Sequence, residues 1–473
     1  MRRALITAAL SSFCLAAAAQ GAPEAEPLPT RIIQTTNMLI EQGLADDTGL
    51  QFVEDLTTEV GARLAGSQAE RRAREWSVAE LRSLGFRNVR IEEFDIPFWS
   101  RVTDTAHVIS PGQQELVITA LGGSADTGEG PIEADIIRFE SMDELRAGFE
   151  SDIRGKIVFV DEITIKTQDG SGYGLGVRKR RECAPVAAEK GAVGCLIRSV
   201  GTQPRRFPHT GMTARPNGEA EGPLPAAALS PPDADQLARL LERGAVTVRL
   251  NIQTETLTGV PSGNVIGEVP GERADEIVLI SCHLDSWDLG TGALDDAAGC
   301  GIVVGAAKLI DSLPGQPKRT IRVVLYGAEE VGLLGGDAYA REHADDLENH
   351  ILASESDFGA GPIWRFQTRF GEGALGYAAA IQKILAPLGV TAGDNNAFGG
   401  PDILVLARSG VPVVTPGQDG RDYFDYHHTP DDTFDKIKPD EFRQNVAVYA
   451  AFTYIAAESG WDFRKVAEPE EAE

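Results

Sequence analysis

Metal-ligating residues recur through the second half of the chain, in short segments rich in glycine and other small residues. The segments are HLDSWDLG, GALDDAAG, YGAEEVGLLGG, SESDFGAG and YHHTPDDT. The candidate metal-site residues in them are His283, Asp295, Glu329, Glu330, Asp357 and His428. Zinc binds histidine nitrogen and carboxylate oxygen, and a catalytic zinc site leaves one position open for water. Two histidines, three carboxylate ligands and one further glutamate therefore predict a two-metal hydrolase site.

The first of these ligands has a partner close by in the sequence. His283 directly follows an apolar run, and Asp285 lies two residues further on. A carboxylate at this spacing can accept the second imidazole N–H and orient the ring for metal binding. We therefore predict His283 as a metal ligand and Asp285 as a catalytic-site residue that positions it.

Two pairs of adjacent acids have divided roles. Asp295 and Asp296 repel one another unless a cation neutralises them. Asp296 suits a helix N-cap, so we assign Asp295 to bridge two metal ions. Side chains of neighbouring residues diverge in an extended segment, so Glu329 and Glu330 cannot do the same job. We predict Glu330 as a ligand and Glu329 as the general base that activates a zinc-bridging water.

The remaining ligands come from two later segments in which the choice is less direct. Asp357 ends the SESD segment, with Glu355 as its rival. His428 is assigned as the last ligand and His427 as a catalytic residue that stabilises the oxyanion. The alternatives are that His427 only packs, or that it is itself the ligand. Asp432 lies within reach as a partner of one of these histidines.

Alternating strands and helices from residue 264 onward are expected to position the ligands at strand ends. This alternation predicts an α/β fold, with a mainly parallel sheet flanked by helices on both faces. The predicted strands are Ile277–Ser281, Thr320–Tyr326, Ile351–Ser354 and Val411–Thr415. The predicted helices are Asp296–Asp311, Leu334–Glu342, Ala374–Leu385 and Pro439–Glu458.

The middle of the chain, residues 101–252, differs in character. Short apolar runs separated by glycine, proline and aspartate predict a β-rich insert. Its predicted strands are Leu116–Thr119, Ile132–Phe139, Ile157–Val160, Val193–Ile197 and Val246–Ile252, with helices near Ala184–Lys190 and Asp233–Glu242. His107 and His209 occur singly there, so we interpret each as a surface or packing residue. The insert would separate an N-terminal part, 22–100, from the catalytic domain, 253–465. The N-terminal part contains predicted helices Thr30–Leu44 and Ser67–Leu84 and a strand Val89–Phe94.

Composition limits the classes of partner. The chain has 473 residues, of which 42% are hydrophobic and 24% charged, as in soluble globular proteins of about two domains. The formal charge of −27 argues against a nucleic acid or an anionic membrane as partner. Beyond the N-terminus, no run reaches about 18 uninterrupted apolar residues, so no membrane span is expected.

The first residues predict an exported protein, in which the cysteines could form disulfides. Arg2 and Arg3 precede an apolar run, as in a secretory signal peptide covering 1–19, so we expect a periplasmic or secreted location. Residues 466–473 form an acidic tail. After removal of the signal, four cysteines allow up to two disulfides with three connectivities, and buried thiols are an equal alternative. These cysteines are Cys183, Cys195, Cys282 and Cys300.

The ordered motifs H-x-D, D-D, E-E, strand-end D and H-T-x-x-D-T resemble the family of co-catalytic two-zinc peptidases. That family includes bacterial aminopeptidases, glutamate carboxypeptidase and carboxypeptidase Q, and the run HLDSWDLGTGALDD most resembles the carboxypeptidase Q branch. The resemblance implies two Zn²⁺ per chain, one held by His283, Asp295 and Asp357, the other by Asp295, Glu330 and His428. It also implies a cis peptide bond between Asp295 and Asp296.

The same resemblance extends to the insert and to the activity. GKIVFVDE and AAEKGAVGCLIRS look like a protease-associated domain, and the Gly-rich, basic run Gly170–Arg181 is a candidate to extend the substrate pocket. The implied function is an exported metallo-exopeptidase that hydrolyses dipeptides or short peptides, with a homodimer left open. The alternatives are a glutaminyl cyclase-like cyclotransferase, which binds one zinc, and a non-catalytic receptor like the transferrin receptor.

Overall fold

Helices and strands alternate along the residues that the computed structural model describes, 23–215 and 221–466. The predicted signal peptide, and all but the first residue of the predicted acidic tail, lie outside these ranges. The N-terminal part contains α1 (Thr30–Gly43), α2 (Thr48–Glu59), α3 (Gln68–Ser83) and β1 (Arg87–Ser110). The chain continues with β2 (Gln114–Leu116), β3 (Ile118–Ala120), β4 (Ile132–Phe139), α4 (Met142–Ala147), α5 (Glu150–Ile153), β5 (Ile157–Val160), α6 (Ser171–Glu189), β6 (Gly194–Arg198), β7 (Ala226–Leu229), α7 (Pro231–Leu241) and β8 (Thr247–Val269).

The C-terminal part completes the sheet on which the predicted ligands lie. Its elements are β9 (Arg273–His283), α8 (Ala298–Asp311), β10 (Arg319–Tyr326), α9 (Leu334–Glu342), β11 (His350–Glu355), β12 (Ile363–Arg369), α10 (Leu375–Leu385), β13 (Thr391–Ala392), α11 (Leu404–Arg408), β14 (Val413–Gln418) and α12 (Pro439–Glu458). The strand order here is β13-β12-β14-β11-β9-β10-β8. Strands β14, β11, β9 and β10 are parallel. β8 pairs antiparallel with β10, and β12 pairs antiparallel with β14 but parallel with β13.

Both faces of this sheet are covered, as expected for parallel strands. On β9, Val278, Ile280 and Cys282 point to a core shared with α1, α2, α8 and α12, whereas Ile277 and Leu279 point to a second core with α9 and α11. The alternation follows the two-residue period of a strand. The predicted fold class is therefore confirmed: an α/β protein with a mainly parallel sheet and helices on both faces.

The region predicted as an insert joins the catalytic sheet through two long strands. β1 and β8 pair antiparallel along almost their whole length, and both predicted insert boundaries, 101 and 252, fall inside this pair. Beyond it, a second set of strands runs in the order β8-β4-β5-β6-β7-β3. α6 packs against these strands over an apolar cluster of its own. The shared strand pair fixes the position of this region relative to the catalytic sheet.

Several elements differ from the sequence-based predictions. α2 was not predicted, although Phe52, Val53 and Leu56 show the helical spacing of buried residues. α6 begins at Ser171, far before the predicted start at Ala184. The sequence did not predict its first turns because their glycines are typical of a loop. Two of these glycines allow close packing: a Cβ on Gly172 would lie 1.9 Å from the carbonyl oxygen of Ile165, and one on Gly176 would lie 2.5 Å from Thr164.

The four cysteines of the described region form two disulfides, Cys183–Cys195 and Cys282–Cys300. The second joins the end of β9, next to His283, to the first turn of α8. None of the described helices is long and apolar enough to cross a membrane.

Candidate active site

The predicted ligands meet at the carboxyl edge of the parallel strands. His283 ends β9, the Glu329–Glu330 pair follows β10, and Asp357 follows β11. Asp295 lies in the single turn Ala293–Ala297 that leads into α8, and His428 lies in the loop between β14 and α12. Because the ends of parallel strands lie at one edge of a sheet, segments far apart in sequence contribute to one site.

The ligand atoms form two groups that share Asp295. In the first, His283 Nε2 lies 3.1 Å from Asp295 Oδ1 and 3.5 Å from Asp357 Oδ1. In the second, His428 Nε2 lies 3.0 Å from Asp295 Oδ2 and 2.9 Å from Glu330 Oε2. The two oxygens of Asp295 thus face different histidines, which is the arrangement of a carboxylate that bridges two cations.

This donor set fits divalent metal ions. A tetrahedral zinc with ligands at about 2.0–2.2 Å separates neighbouring ligand atoms by about 3.3–3.6 Å, close to the distances found here. Glu330 Oε1 is buried and has no hydrogen-bond partner among the described residues. A buried carboxylate oxygen without a donor is costly unless a cation completes its environment. The residues present are therefore suited to hold the ions that their sequence pattern predicts.

The carboxylates also raise one another's proton affinity. Burial raises the pKa of Glu330 to about 7, and the charge of Asp295 adds to this rise while His428 opposes it. Burial, together with the charges of Asp357 and Glu330, raises the pKa of Glu329 well above its usual value, against the opposing effect of His283. Negative charge is thus concentrated where a cation would be most strongly stabilised.

The loops around His283 are held by main-chain hydrogen bonds. His283 Nδ1 lies 3.0 Å from the backbone carbonyl oxygen of Asp285, leaving Nε2 for a metal. The Asp285 carboxylate is 3.8 Å from Nδ1 and instead accepts the backbone N–H groups of Glu329 (3.0 Å) and Glu330 (3.3 Å). The prediction that the Asp285 carboxylate orients His283 is therefore wrong, because the backbone carbonyl oxygen of Asp285 makes this contact instead. Asp285 positions the Glu329–Glu330 segment, and its main chain orients the ring.

Asp432 also differs from its predicted role. We expected it to contact a histidine, but its carboxylate accepts the backbone N–H groups of Leu294 (2.6 Å) and Asp295 (3.2 Å). It therefore fixes the main chain of the bridging residue. The Asp295–Asp296 peptide bond is cis. Asp296 accepts the N–H of Gly299 (3.0 Å) in the first turn of α8 and that of His283 (3.2 Å).

The rival ligand Glu355 is engaged elsewhere. Its Oε2 accepts the backbone N–H of Asp402 at 2.8 Å, so the carboxylate holds the loop that follows Gly400. Its neighbour Asp357 is the residue that lies within 3.5 Å of His283 Nε2.

His428 is clamped by a residue of the insert. Its Nδ1 lies 3.2 Å from the carbonyl oxygen of Thr210, and its own carbonyl oxygen accepts the Thr210 N–H at 3.0 Å. A ligand histidine whose second nitrogen is held in this way has a fixed ring orientation.

The adjacent His427 also faces the bridging carboxylate. Its ring stacks on that of His428 with centroids 3.6 Å apart. Its Nε2 lies 3.2 Å from Asp295 Oδ2, but only His428 also approaches Glu330. This geometry favours His428 as the ligand and places Nε2 of His427 beside the shared carboxylate.

A cleft of about 640 Å³ opens over these residues. The Glu329 carboxylate lines the cleft and makes no hydrogen bond within the described ranges. Its neighbour Glu330 is turned toward His428. The two adjacent glutamates therefore diverge, one toward a ligand group and one toward the space that a substrate would occupy.

Comparison with known proteins agrees with this geometry. The model of peptidase family M28 matches residues 264–453. Carboxypeptidase Q of Mus musculus is 33% identical over 405 residues, covering 85% of this chain and 84% of that protein. The chain belongs to peptidase family M28. The predicted family and enzyme class, a metallopeptidase, are thereby confirmed.

Solved structures show the same fold as this M28 peptidase. A peptidase M28 precursor from Shewanella amazonensis SB2B superposes with a TM-score of 0.90 at 48% identity, covering 93% of this chain and 99% of that one. The zinc aminopeptidase BSAP from Bacillus subtilis superposes with a TM-score of 0.63 at 20% identity, covering 89% and 98%, and is similar in fold.

Arg63 and His209 of this M28 peptidase were not predicted to belong to the site, and Arg180 was indicated only as a member of the run Gly170–Arg181. Arg63 is buried and donates to the carbonyl oxygens of Leu284 (2.5 Å), Thr291 (2.7 Å) and Gly292 (2.9 Å), so it braces the loop beneath the ligands. No local pattern signals such a role.

Arg180 and His209 reach the cleft from the insert. The His209 ring is fully buried, with its centroid 4.8 Å from that of His428 and 5.0 Å from that of His427. We predicted a surface or packing role, and the structure places it in the aromatic stack beside the ligands. Arg180 lies in the run Gly170–Arg181, which was the predicted extension of the pocket, and it lines the cleft together with Tyr173 and Arg181.

Proposed function

We propose that this chain is an exported two-zinc metallo-exopeptidase that hydrolyses dipeptides or short peptides. The observation that carries the proposal is the pair of ligand groups sharing Asp295, with the Glu329 carboxylate free beside them in the cleft. Two-metal sites act on both attacking and leaving atoms of a hydrolysis. A cleft of about 640 Å³ suits a small substrate better than a folded protein.

In this proposal the two ions have distinct ligands. His283, Asp295 and Asp357 would hold one zinc, and Asp295, Glu330 and His428 the other. When bound, the ions would polarise the scissile carbonyl and lower the pKa of water. Asp285, Asp432 and Thr210 keep the ligands in place through the main-chain contacts described above.

Glu329 is the proposed general base. Its carboxylate takes the proton of the attacking water as the oxygen bonds to the carbonyl carbon of the substrate. It then delivers this proton to the amine nitrogen as the C–N bond breaks. His427 is proposed to donate an N–H to the negative charge that develops on the carbonyl oxygen, and the 3.2 Å distance between its Nε2 and Asp295 Oδ2 supports this role.

The proposal extends to the organisation of the chain. Residues 1–19 act as a signal peptide, and residues 101–252 form a protease-associated-like unit beside the catalytic domain. Support for the second point comes from Thr210 and Arg180, which this unit contributes to the site.

The test combines metal analysis with a panel of substrates. Purified protein should contain close to two zinc ions per chain and hydrolyse free dipeptides. Matched dipeptides blocked at either end identify the terminus that is read, and a glutamine-cyclisation assay tests the cyclotransferase alternative. Cyclisation without hydrolysis, or zinc binding without either reaction, would contradict the proposal.

A further inference from the structure

One loop of the catalytic region connects the two ligand groups. Residues 284–294 join His283, which belongs to the first group, to Asp295, which belongs to both. The distance between these two ligands therefore depends on how the loop is folded. The site tolerates little error in that distance, because a misplacement of about 1 Å can cost about a hundredfold in rate.

Arg63 holds both ends of this loop from the N-terminal part of the chain, where it lies between α2 and α3. Its Nε donates to the carbonyl oxygen of Leu284, the first residue of the loop, at 2.5 Å. Nη1 donates to the carbonyl oxygen of Thr291 at 2.7 Å, and Nη2 donates to that of Gly292 at 2.9 Å. Because a guanidinium is planar and its donors have a fixed geometry, one side chain fixes the spacing between the start and the end of the loop.

The main chain around Arg63 strengthens this link. Ser286 Oγ accepts the N–H of Arg63 at 3.2 Å, and the N–H of Ser286 donates to the carbonyl oxygen of Arg63 at 3.3 Å. Gly292 has φ +60°, and a Cβ there would lie 2.9 Å from Arg63 Nη1 and 2.4 Å from Ser286 Cβ. The loop is therefore packed around Arg63, which is the largest fully buried side chain among the described residues.

Arg63 is buried without a direct ion pair. No carboxylate oxygen lies within 4.0 Å of it in residues 23–215 and 221–466. Burial lowers the pKa of Arg63, and the charges of nearby acids oppose this effect; in order of size, they are Asp432, Asp285, Asp296 and Asp295. A positive charge behind a metal site repels a metal ion, so the charge of Arg63 would by itself weaken metal binding. What metal binding can gain from Arg63 is therefore its contacts.

We propose that Arg63 is a positioning residue that sets the separation of His283 and Asp295 through the main chain of residues 284–294. This inference rests on the proposed two-metal function. Arg63 does not line the cleft, so it acts on the ligands and not on the substrate. The first ligand group uses both His283 and Asp295, whereas the second uses only Asp295 of this pair. Loss of the guanidinium therefore weakens the first metal position more than the second.

The experiment measures the zinc affinity of each position separately. Only the first ligand group is complete in His428→Ala, and only the second is complete in His283→Ala. Arg63→Lys is added to each of these proteins, because lysine keeps the positive charge and loses the planar fork. We expect it to lower zinc affinity about 10- to 100-fold in the His428→Ala protein, as loss of an outer contact does, and less than about threefold in the His283→Ala protein.

Arg319→Lys is the matched control. Arg319 is also buried and donates to the carbonyl oxygens of Ala456 (2.7 Å) and Trp461 (2.8 Å), but it lies at the start of β10, away from the carboxyl edge of the sheet. Its substitution should lower the unfolding temperature and leave both zinc affinities unchanged within about twofold. An equal loss of zinc affinity in Arg319→Lys would overturn the positioning role of Arg63.

The pair of zinc titrations can also contradict the proposal directly. Zinc affinities unchanged within about twofold by Arg63→Lys in both proteins would show that the guanidinium does not position the ligands. Equal losses in the two proteins would show that the separation of His283 and Asp295 is not what Arg63 sets.

Ser286→Ala tests the same link if Arg63→Lys does not fold. This variant removes the hydrogen bond to the N–H of Arg63 and leaves the guanidinium in place. In the His428→Ala protein it should lower zinc affinity about two- to tenfold, the range expected for one neutral hydrogen bond. An unchanged affinity in that protein would contradict the proposal.

Kinetics of Arg63→Lys at saturating zinc give a second readout. For a free dipeptide, kcat should fall about tenfold or more while KM changes less than about threefold, because the ligands are displaced and the cleft is not. A change in KM alone would place Arg63 in substrate binding and contradict its positioning role. If wild-type protein bound two zinc ions but hydrolysed no dipeptide, the proposed function would fail, and the zinc titrations would still decide the role of Arg63.

Discussion

The catalytic region and the insert face one cleft with opposite charges. The catalytic region contributes carboxylates and histidines from the ends of its parallel strands, and the insert contributes arginines from α6 and the segment after His209. The first set is arranged around Asp295, as metal ligands must be. Within residues 23–215 and 221–466, the arginines of the second set have no carboxylate oxygen within 4.0 Å. The comparison therefore places the proposed metal ligands in the catalytic region, with Thr210 of the insert holding one of them, and the arginines of the cleft in the insert.

The most damaging change should fall in the catalytic region at the shared ligand. Asp295→Ala removes an atom from each ligand group, so both metal sites should be lost together. Activity should fall by more than about 10⁴-fold, because the acid–base contribution of about 10²–10⁴-fold is lost along with the metal chemistry. Elemental analysis and kcat/KM check this. A variant that kept one tightly bound zinc would show that Asp295 is not shared.

Removing one histidine ligand at a time tests whether the two groups are separate. His283→Ala and His428→Ala should each retain one tight zinc. In each variant, the zinc affinity of the site that has lost its histidine should fall by more than the about 10- to 100-fold that loss of an outer contact costs. Zinc titration of the two variants provides the measurement. Retention of two tight zinc ions by either variant would remove that histidine from the ligand set.

His427 is the member of the His209–His427–His428 stack that we expect to act in catalysis without binding a metal. Since its Nε2 faces Asp295 Oδ2, His427→Ala should keep two zinc ions and lose about a hundredfold in kcat. Zinc content and kcat are measured on the same sample. Loss of zinc would reassign His427 as the ligand, and no change in either quantity would reduce it to packing.

His209, the insert's member of the same stack, should have the smallest effect. It touches Arg180 rather than Asp295. His209→Ala should retain two zinc ions and kcat within about threefold, and raise KM severalfold, since a neutral hydrogen bond contributes about 0.5–1.5 kcal/mol. Steady-state kcat and KM of His209→Ala and His427→Ala should be measured side by side. A loss of zinc in this variant would contradict the division between the two regions.

Most of the metal-binding pattern could be predicted from the sequence because it is local. His283, Glu329–Glu330 and Asp357 each follow an apolar run that forms a strand, and parallel strands bring such ends together. The mainly parallel fold was predictable for the same reason. The antiparallel strand β12 and the full lengths of β1 and β8 were not, since strand pairing between distant segments determines them.

The contacts that support the ligands could not be predicted in this way. Asp285 and Asp432 both carry carboxylates at suitable spacing from a histidine, yet each accepts main-chain N–H groups, one 44 and the other 137 residues away. Thr210 contributes only its backbone, which any residue type could supply. Arg180 lies in the run Gly170–Arg181 that was predicted to extend the pocket, but the helix that positions it was not predicted there, because the glycines of its first turns are typical of a loop.

Glu329 provides the most direct test of the account. Glu329→Gln keeps the shape and the main-chain contacts to Asp285 and removes only the ability to take a proton. Zinc content and kcat/KM for a free dipeptide should be measured on one preparation, with wild-type protein alongside. We expect close to two zinc ions per chain and a loss of about 10²–10⁴-fold in kcat/KM. Full zinc with more than about a tenth of wild-type kcat/KM, a loss under about 1.4 kcal/mol, would contradict the assignment of Glu329 as the general base.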